Sequence, residues 1–134
     1  MSELGQQRHR ARERAFEILY EAEMKDRDID SILTSLPITP DDYTVTLVRS
    51  VKDHKAWAES QLSSHSLEWS LERMSIVDRI IMTLALCELR LDDGPSRAVI
   101  FDEAVELAKV YSSDAAPSFV NGVLSACAES GGLR

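Results

Sequence analysis

Four arginines alternate near the start of the chain, Arg8, Arg10, Arg12 and Arg14, with His9 between the first two. On a helix, Arg10 has Glu13 three residues ahead and Arg14 has Glu17, spacings that allow surface ion pairs worth about 0.2–0.5 kcal/mol each. Arg8 and Arg12 have no carboxylate three or four residues away on either side. They share one helix edge, and Phe16 and Tyr20 continue it at the same interval. Two unpaired cations in line with two aromatic rings suit an anion, RNA above all: guanidinium groups grip phosphates and stack on bases, and aromatic rings stack on bases too. The competing reading puts Phe16 and Tyr20 in the core and leaves the arginines to solvate a helix start. Cations there oppose the helix dipole, so stability alone would favour Asp or Glu. The pattern leaves both readings open.

A second candidate is SSDAAPSFVNGVL at 112–124. A helix opening near Ser118 presents free N–H groups that suit a phosphate. Gly122 inside that helix costs about 1 kcal/mol relative to alanine, and close approach of a second helix is the commonest offset. Asn121 needs a partner if buried. A packing glycine with a capping asparagine explains the same residues without any ligand. Enzyme chemistry finds no foothold: HExxH, GxSxG, a P-loop and a glycine-rich dinucleotide turn are all missing from the sequence. His9, His54 and His65 are scattered, and the carboxylates at 88 and 102–103 read as ion-pair or surface positions. The expectation is a non-catalytic protein with neither metal nor cofactor.

The elements that carry these residues read as helices nearly throughout. Ala11, Ala15, Ile18, Leu19 and Ala22 recur on one face, predicting a helix from about Gln6 to Lys25. A short helix is expected over 26–36, then a loop, then a long helix capped by Thr39 with Pro40 as its first residue. SSHS at 63–66 marks the seam between two helical halves, with a short helical turn over 67–73 after it. SIVD at 75–78 matches a capping box, with Ser75 and Asp78 reciprocal. The apolar run behind it predicts a central buried helix, broken by DDGPS at 92–96. Ile100, Ala104, Leu107, Ala108 and Tyr111 face inward on the next helix. Phe119, Val120, Val123, Leu124 and Cys127 do so on the last. No strand alternation appears, and NG at 121–122 falls inside a helical pattern.

With 134 residues, 44% of them hydrophobic and 28% charged, the chain is the size and composition of one globular domain. Cys87 and Cys127 sit in apolar surroundings and read as two reduced, buried thiols. The first residues are polar and no apolar run approaches the ~20 residues that span a membrane. A cytoplasmic location is expected. The net charge is −8, yet residues 8–14 hold four arginines against one glutamate. An acidic body repels nucleic acid in general, while a basic end still holds one short strand. That balance excludes a bulk DNA packager and allows a selective RNA or partner binder.

Three segments together resemble the NusB family of bacterial transcription antitermination factors: RARERAFEILYEAEM, VDRIIMTLALCELR and AVIFDEAVELAKVYSSDAAPSFVNGVL. DEAVELAK with FVNGVL is the most specific part, and the resemblance extends over nearly the whole chain. It implies an all-α fold of about seven helices in two small bundles, roughly 1–66 and 67–134. It implies pairing with NusE, a small-subunit ribosomal protein, and binding of single-stranded boxA RNA from ribosomal RNA operons. The pair would join RNA polymerase with other Nus factors to suppress termination, without cofactor or chemistry.

Carried over by motif, the resemblance places RNA contacts at Arg8, Arg10, Arg12, Tyr20, Asp114, Ala115 and Phe119, and more weakly at Lys109. It places the partner surface at Glu72, Asp78, Arg79 and Glu88. On that assignment Arg12→Ala should flatten the salt dependence of RNA binding by ~0.7. The chain departs from the family at His9 and Thr83, where arginine is found, and at Ala115, where an acidic residue is common. Two alternatives stand beside the main reading. One is an RNA-docking domain like those preceding some ribosomal RNA cytosine methyltransferases, which the short chain disfavours. The other is a protein–protein adaptor or a homodimer whose RNA surface is masked.

Overall fold

The computed structural model describes residues 2–65, 71 and 73–130. Six α-helices make up most of them: α1 Glu3–Lys25, α2 Ile29–Ser35, α3 Asp42–His65, α4 Ile76–Glu88, α5 Arg97–Tyr111 and α6 Ala116–Glu129. No strand occurs among the described residues, so the all-α expectation holds with six described helices where about seven were expected. The additional turn of helix expected at 67–73 falls largely outside the described residues, and Leu71 and Arg73 within it are turn residues.

Short polar side chains start the helices by satisfying N–H groups that have no partner within the helix. Ser2 accepts from the Gly5 N–H at 2.9 Å, Asp28 from Ser31 at 3.4 Å, Ser75 from Asp78 at 3.0 Å and Ser96 from Val99 at 3.3 Å. Only half of the expected capping box forms, because the Asp78 carboxylate turns instead to Ser112. α3 corrects the expected Thr39 cap and Pro40 start. It begins at Asp42, and Asp41 Oδ1 accepts from the Thr44 N–H at 2.8 Å. The Asp41 carboxylate complements the positive end of the helix dipole, which a threonine hydroxyl does not. α1 stops at Asp26, which takes the left-handed conformation at φ 50°, while the Arg27 N–H reaches back to the Ala22 carbonyl at 2.9 Å. Aspartate is one of the few non-glycine residues that tolerate this turn.

α4 is the centre. Every residue from Ile80 to Leu89 is buried, and the helix packs against α1, α3, α5 and α6. α1 also packs on α2 and α3, and α5 packs on α6. One hydrophobic cluster draws on all six helices. Ile32, Leu47, Leu62, Ile81, Leu86 and Leu124 are sealed within it, each contributing about 1.5–3 kcal/mol by removal from water. Cys87 and Cys127 are free and buried, and burial pushes their thiols up to about 12 and about 11.

Gly122 departs from expectation. No second helix approaches it: a Cβ there would meet nothing within 4 Å, and Asn121 beside it is exposed and needs no buried partner. The helical cost of the glycine is therefore not offset by packing. Gly122→Ala is expected to raise the unfolding free energy by about 0.5–1 kcal/mol in a urea titration, and a loss of stability would contradict this placement.

Candidate functional site

The arginine edge of α1 divides between core and surface. Arg12 is only 3% exposed. Its Nε donates to Glu88 Oε1 at 2.8 Å and its Nη2 to Oε2 at 2.7 Å, a two-pronged buried ion pair. The Tyr43 hydroxyl donates to the same Oε2 at 2.5 Å, and Glu103 lies 3.9 Å from Arg12 Nη1. Burial alone would pull the Arg12 guanidinium down, but Glu88 and the neighbouring acidic groups outweigh it and hold the guanidinium above its ordinary value. Burial, then Glu88, likewise holds the Tyr43 phenol well above the usual tyrosine range. Arg12 is therefore not the unpaired cation that local spacing suggested. Its partner is 76 positions away in sequence, beyond any helical-wheel argument. The same contact corrects Glu88, expected at a partner surface: it is 1% exposed and committed to Arg12 and Tyr43.

Arg8 and Arg10 keep their charge available. The Arg8 guanidinium sits over the Tyr43 ring at 4.3 Å from its centroid, with no carboxylate partner among the described residues. Arg10 is exposed and does not pair with Glu13. That carboxylate goes to His9 Nε2 at 3.5 Å, while His9 Nδ1 lies 2.6 Å from Glu103. Arg14 pairs with Glu17 at 3.3 Å, as its spacing predicts. Phe16 turns into the core and Tyr20 stays at its edge, partly exposed. The four-residue row thus mixes core and surface, and each of the two competing readings describes part of it.

A groove of about 490 Å³ continues from that edge. Its lining includes Phe16, Tyr20 and Met24 from α1, Val77 from α4 and Tyr111 from α5. Phe16 stacks on Tyr111 at 4.5 Å and on Tyr20 at 6.0 Å between ring centroids. Glu17 and Glu21 rim it, and the Tyr111 hydroxyl donates to Glu17. Burial, then the charges of Glu17 and Glu13, raises the Tyr111 phenol above its ordinary value. Lys25 rims it too, 3.9 Å from Glu21, and Glu17 is paired with Arg14, so the product is an apolar trough with a lip of mixed charge.

Of the residues expected at a partner surface, Glu72 lies outside the described residues. Asp78 is buried, and its Oδ1 accepts from the Ser112 hydroxyl at 2.6 Å, tying the start of α4 to the end of α5. Arg79 is 17% exposed and held by Glu23, with Glu59 at 3.7 Å. Lys55 touches the same two carboxylates, closing a ring of alternating charge across α1, α3 and α4. The Arg79 hydrogen bond holds the Glu23 carboxyl below its ordinary range. Asp78 and Arg79 thus serve the interior more than an open face. Thr83 is buried on the wall of an adjacent cleft of about 410 Å³.

In the last turn of α5, Lys109 is exposed and pairs with Glu106 at 3.0 Å. Asp114 and Ala115 are exposed, Phe119 is half-buried, and α6 opens at Ala115 without a side-chain cap. α5 links this region to the arginine edge. Its Glu103 meets His9, its Tyr111 meets Phe16 and Glu17, and the chain then turns through 112–115 into α6. Sequence reasoning did not single out Tyr43 as a site residue; a tyrosine half in the core must place its hydroxyl on a polar partner, and that was the available signal. No grouping of histidine, cysteine and carboxylates fit to hold a metal occurs among the described residues.

Fold and surfaces together define a class: a small all-helical protein with a basic helix edge and a separate apolar trough, both on α1. The NusB family model matches residues 9–129. The transcription antitermination protein NusB of Bifidobacterium animalis subsp. lactis is 41% identical over 125 residues, covering 89% of this chain and 81% of that protein. Among solved structures, T. maritima NusB superposes with a TM-score of 0.80 at 33% identity, covering 91% of this chain and 90% of that one. A chain from a complex of antitermination factors NusB and NusE with double-stranded RNA gives 0.78 at 27% identity, covering 93% and 98%. The chain belongs to the NusB family.

Proposed function

We propose that this protein is a non-catalytic transcription antitermination factor that binds boxA RNA of ribosomal operon transcripts together with NusE and helps assemble the antitermination complex on RNA polymerase. The family match along nearly the whole chain carries this reading. The surfaces left open on α1 support it. Arg8 and Arg10 supply the cations, joined by the exposed 114–115 turn and Phe119. The trough of Tyr20, Met24, Val77 and Tyr111, apolar along its floor, suits the side chains of a protein partner such as NusE. Action in the cytoplasm follows from this role, and none of the described helices is long and apolar enough to cross a membrane.

This reading sets the partner surface at the trough, whose Val77 adjoins Asp78, in place of Arg79 and the buried Glu88, and it takes Tyr20, expected above at the RNA, into that surface. Met24→Lys tests it, because Met24 is 54% exposed and its loss leaves the core intact. The variant is expected to bind NusE at least about tenfold more weakly by calorimetry, since it sets an unpaired charge in an apolar contact. Its circular dichroism and its binding of RNA without NusE should not change. Unaltered NusE affinity would remove the trough from the interface.

A further inference from the structure

We propose that Tyr43 is a positioning residue of the RNA grip: its ring, on α3, carries the Arg8 guanidinium and aims it at a phosphate of the bound RNA. The inference rests on the RNA-binding reading above and adds to it a residue from a different helix.

The geometry has three linked parts. Arg8 lies 4.3 Å from the Tyr43 ring centroid, close enough for cation–π attraction. Tyr43 is fixed at its far end, where its hydroxyl donates to Glu88 at 2.5 Å. Glu88 is in turn locked by both prongs of Arg12. A buried ion pair therefore holds a half-buried ring, and the ring holds an uncompensated cation at the surface. An arginine on a free stem loses rotamer freedom when it grips a ligand. One already seated on a ring has lost much of that freedom beforehand. The Arg8 side chain makes no hydrogen bond or ion pair among the described residues, so its N–H groups stay available to phosphate oxygens.

The test compares Tyr43→Leu, Tyr43→Phe, Arg8→Ala and the Tyr43→Leu/Arg8→Ala double variant. Each is titrated with a short boxA-type RNA over a range of salt, after thermal unfolding has shown it folded. The Arg8 Nε–H resonance of the free protein is followed by NMR. Tyr43→Leu is expected to weaken RNA binding about threefold to tenfold, and to have no further effect once Arg8 is alanine. Tyr43→Phe keeps the ring and is expected to bind within about twofold of wild type, even though it loses the Glu88 bond. The Arg8 resonance should carry a ring-current shift that Phe preserves and Leu abolishes. A merely structural Tyr43 would give equal losses with and without Arg8, and that result overturns the proposal. So does an Arg8 resonance indifferent to Tyr43→Leu. Wild-type protein that binds no RNA overturns the functional reading, and the grip role with it, while the Arg8 resonance still reports separately on the Tyr43–Arg8 contact.

Discussion

Glu88→Ala is expected to lower the unfolding free energy by about 3–5 kcal/mol, the cost of leaving one member of a buried ion pair uncompensated. Arg12 is 3% exposed, and with Glu88 gone its guanidinium keeps, among the described residues, Glu103 at 3.9 Å and the Tyr43 ring at 6.0 Å. The Tyr43 hydroxyl loses its acceptor in the same stroke. A domain of ordinary stability holds about 5–15 kcal/mol in all, so the variant should unfold at markedly lower urea with an unchanged slope. Arg12→Met combined with Glu88→Leu removes both charges and should recover most of the loss, because a well-packed apolar pair often equals or exceeds a buried ion pair. A single variant as stable as wild type would mean that Arg12 reaches water. It would restore Arg12 to the surface role its sequence pattern suggested.

The second large effect falls on RNA binding. Arg8→Ala/Arg10→Ala is expected to weaken boxA RNA by about a hundredfold and to flatten the slope of log affinity against log salt by about 1.4, two single-strand phosphate contacts at ~0.7 each. The Arg12→Met/Glu88→Leu variant should leave that slope unaltered, because a buried, paired guanidinium releases no counterion from RNA. The two variants thus separate the arginine edge into its exposed and buried members. A slope change in the core variant equal to that of the surface one would contradict the division.

Most of the fold was legible from local signals. The 3.6-residue recurrence of Ala11, Ala15, Ile18, Leu19 and Ala22 and the serine cap at Ser75 point to helices that the structure bears out. The start of α3 was misplaced by two residues, since Thr39–Pro40 and Asp41 compete for one role and only the backbone decides between them. The site was legible in outline and wrong in one essential. Local spacing shows that Arg8 and Arg12 lack helical partners, but it is blind to a carboxylate arriving from α4. The apolar run that buries α4 on nearly every side already implied that Glu88 would need a cation, and Arg12 is the cation that meets it. The helical cost of Gly122 was read as a sign of close packing, yet the open space around it shows that a costly residue need not have a packing reason.

The most direct test is binding of a short single-stranded boxA RNA to this protein, alone and with its cognate NusE, beside a scrambled sequence and a duplex of the same length. The account predicts weak binding alone, tighter binding with NusE, and clear preference for boxA over the scrambled strand. Equal affinity for boxA and scrambled RNA in both settings would contradict it.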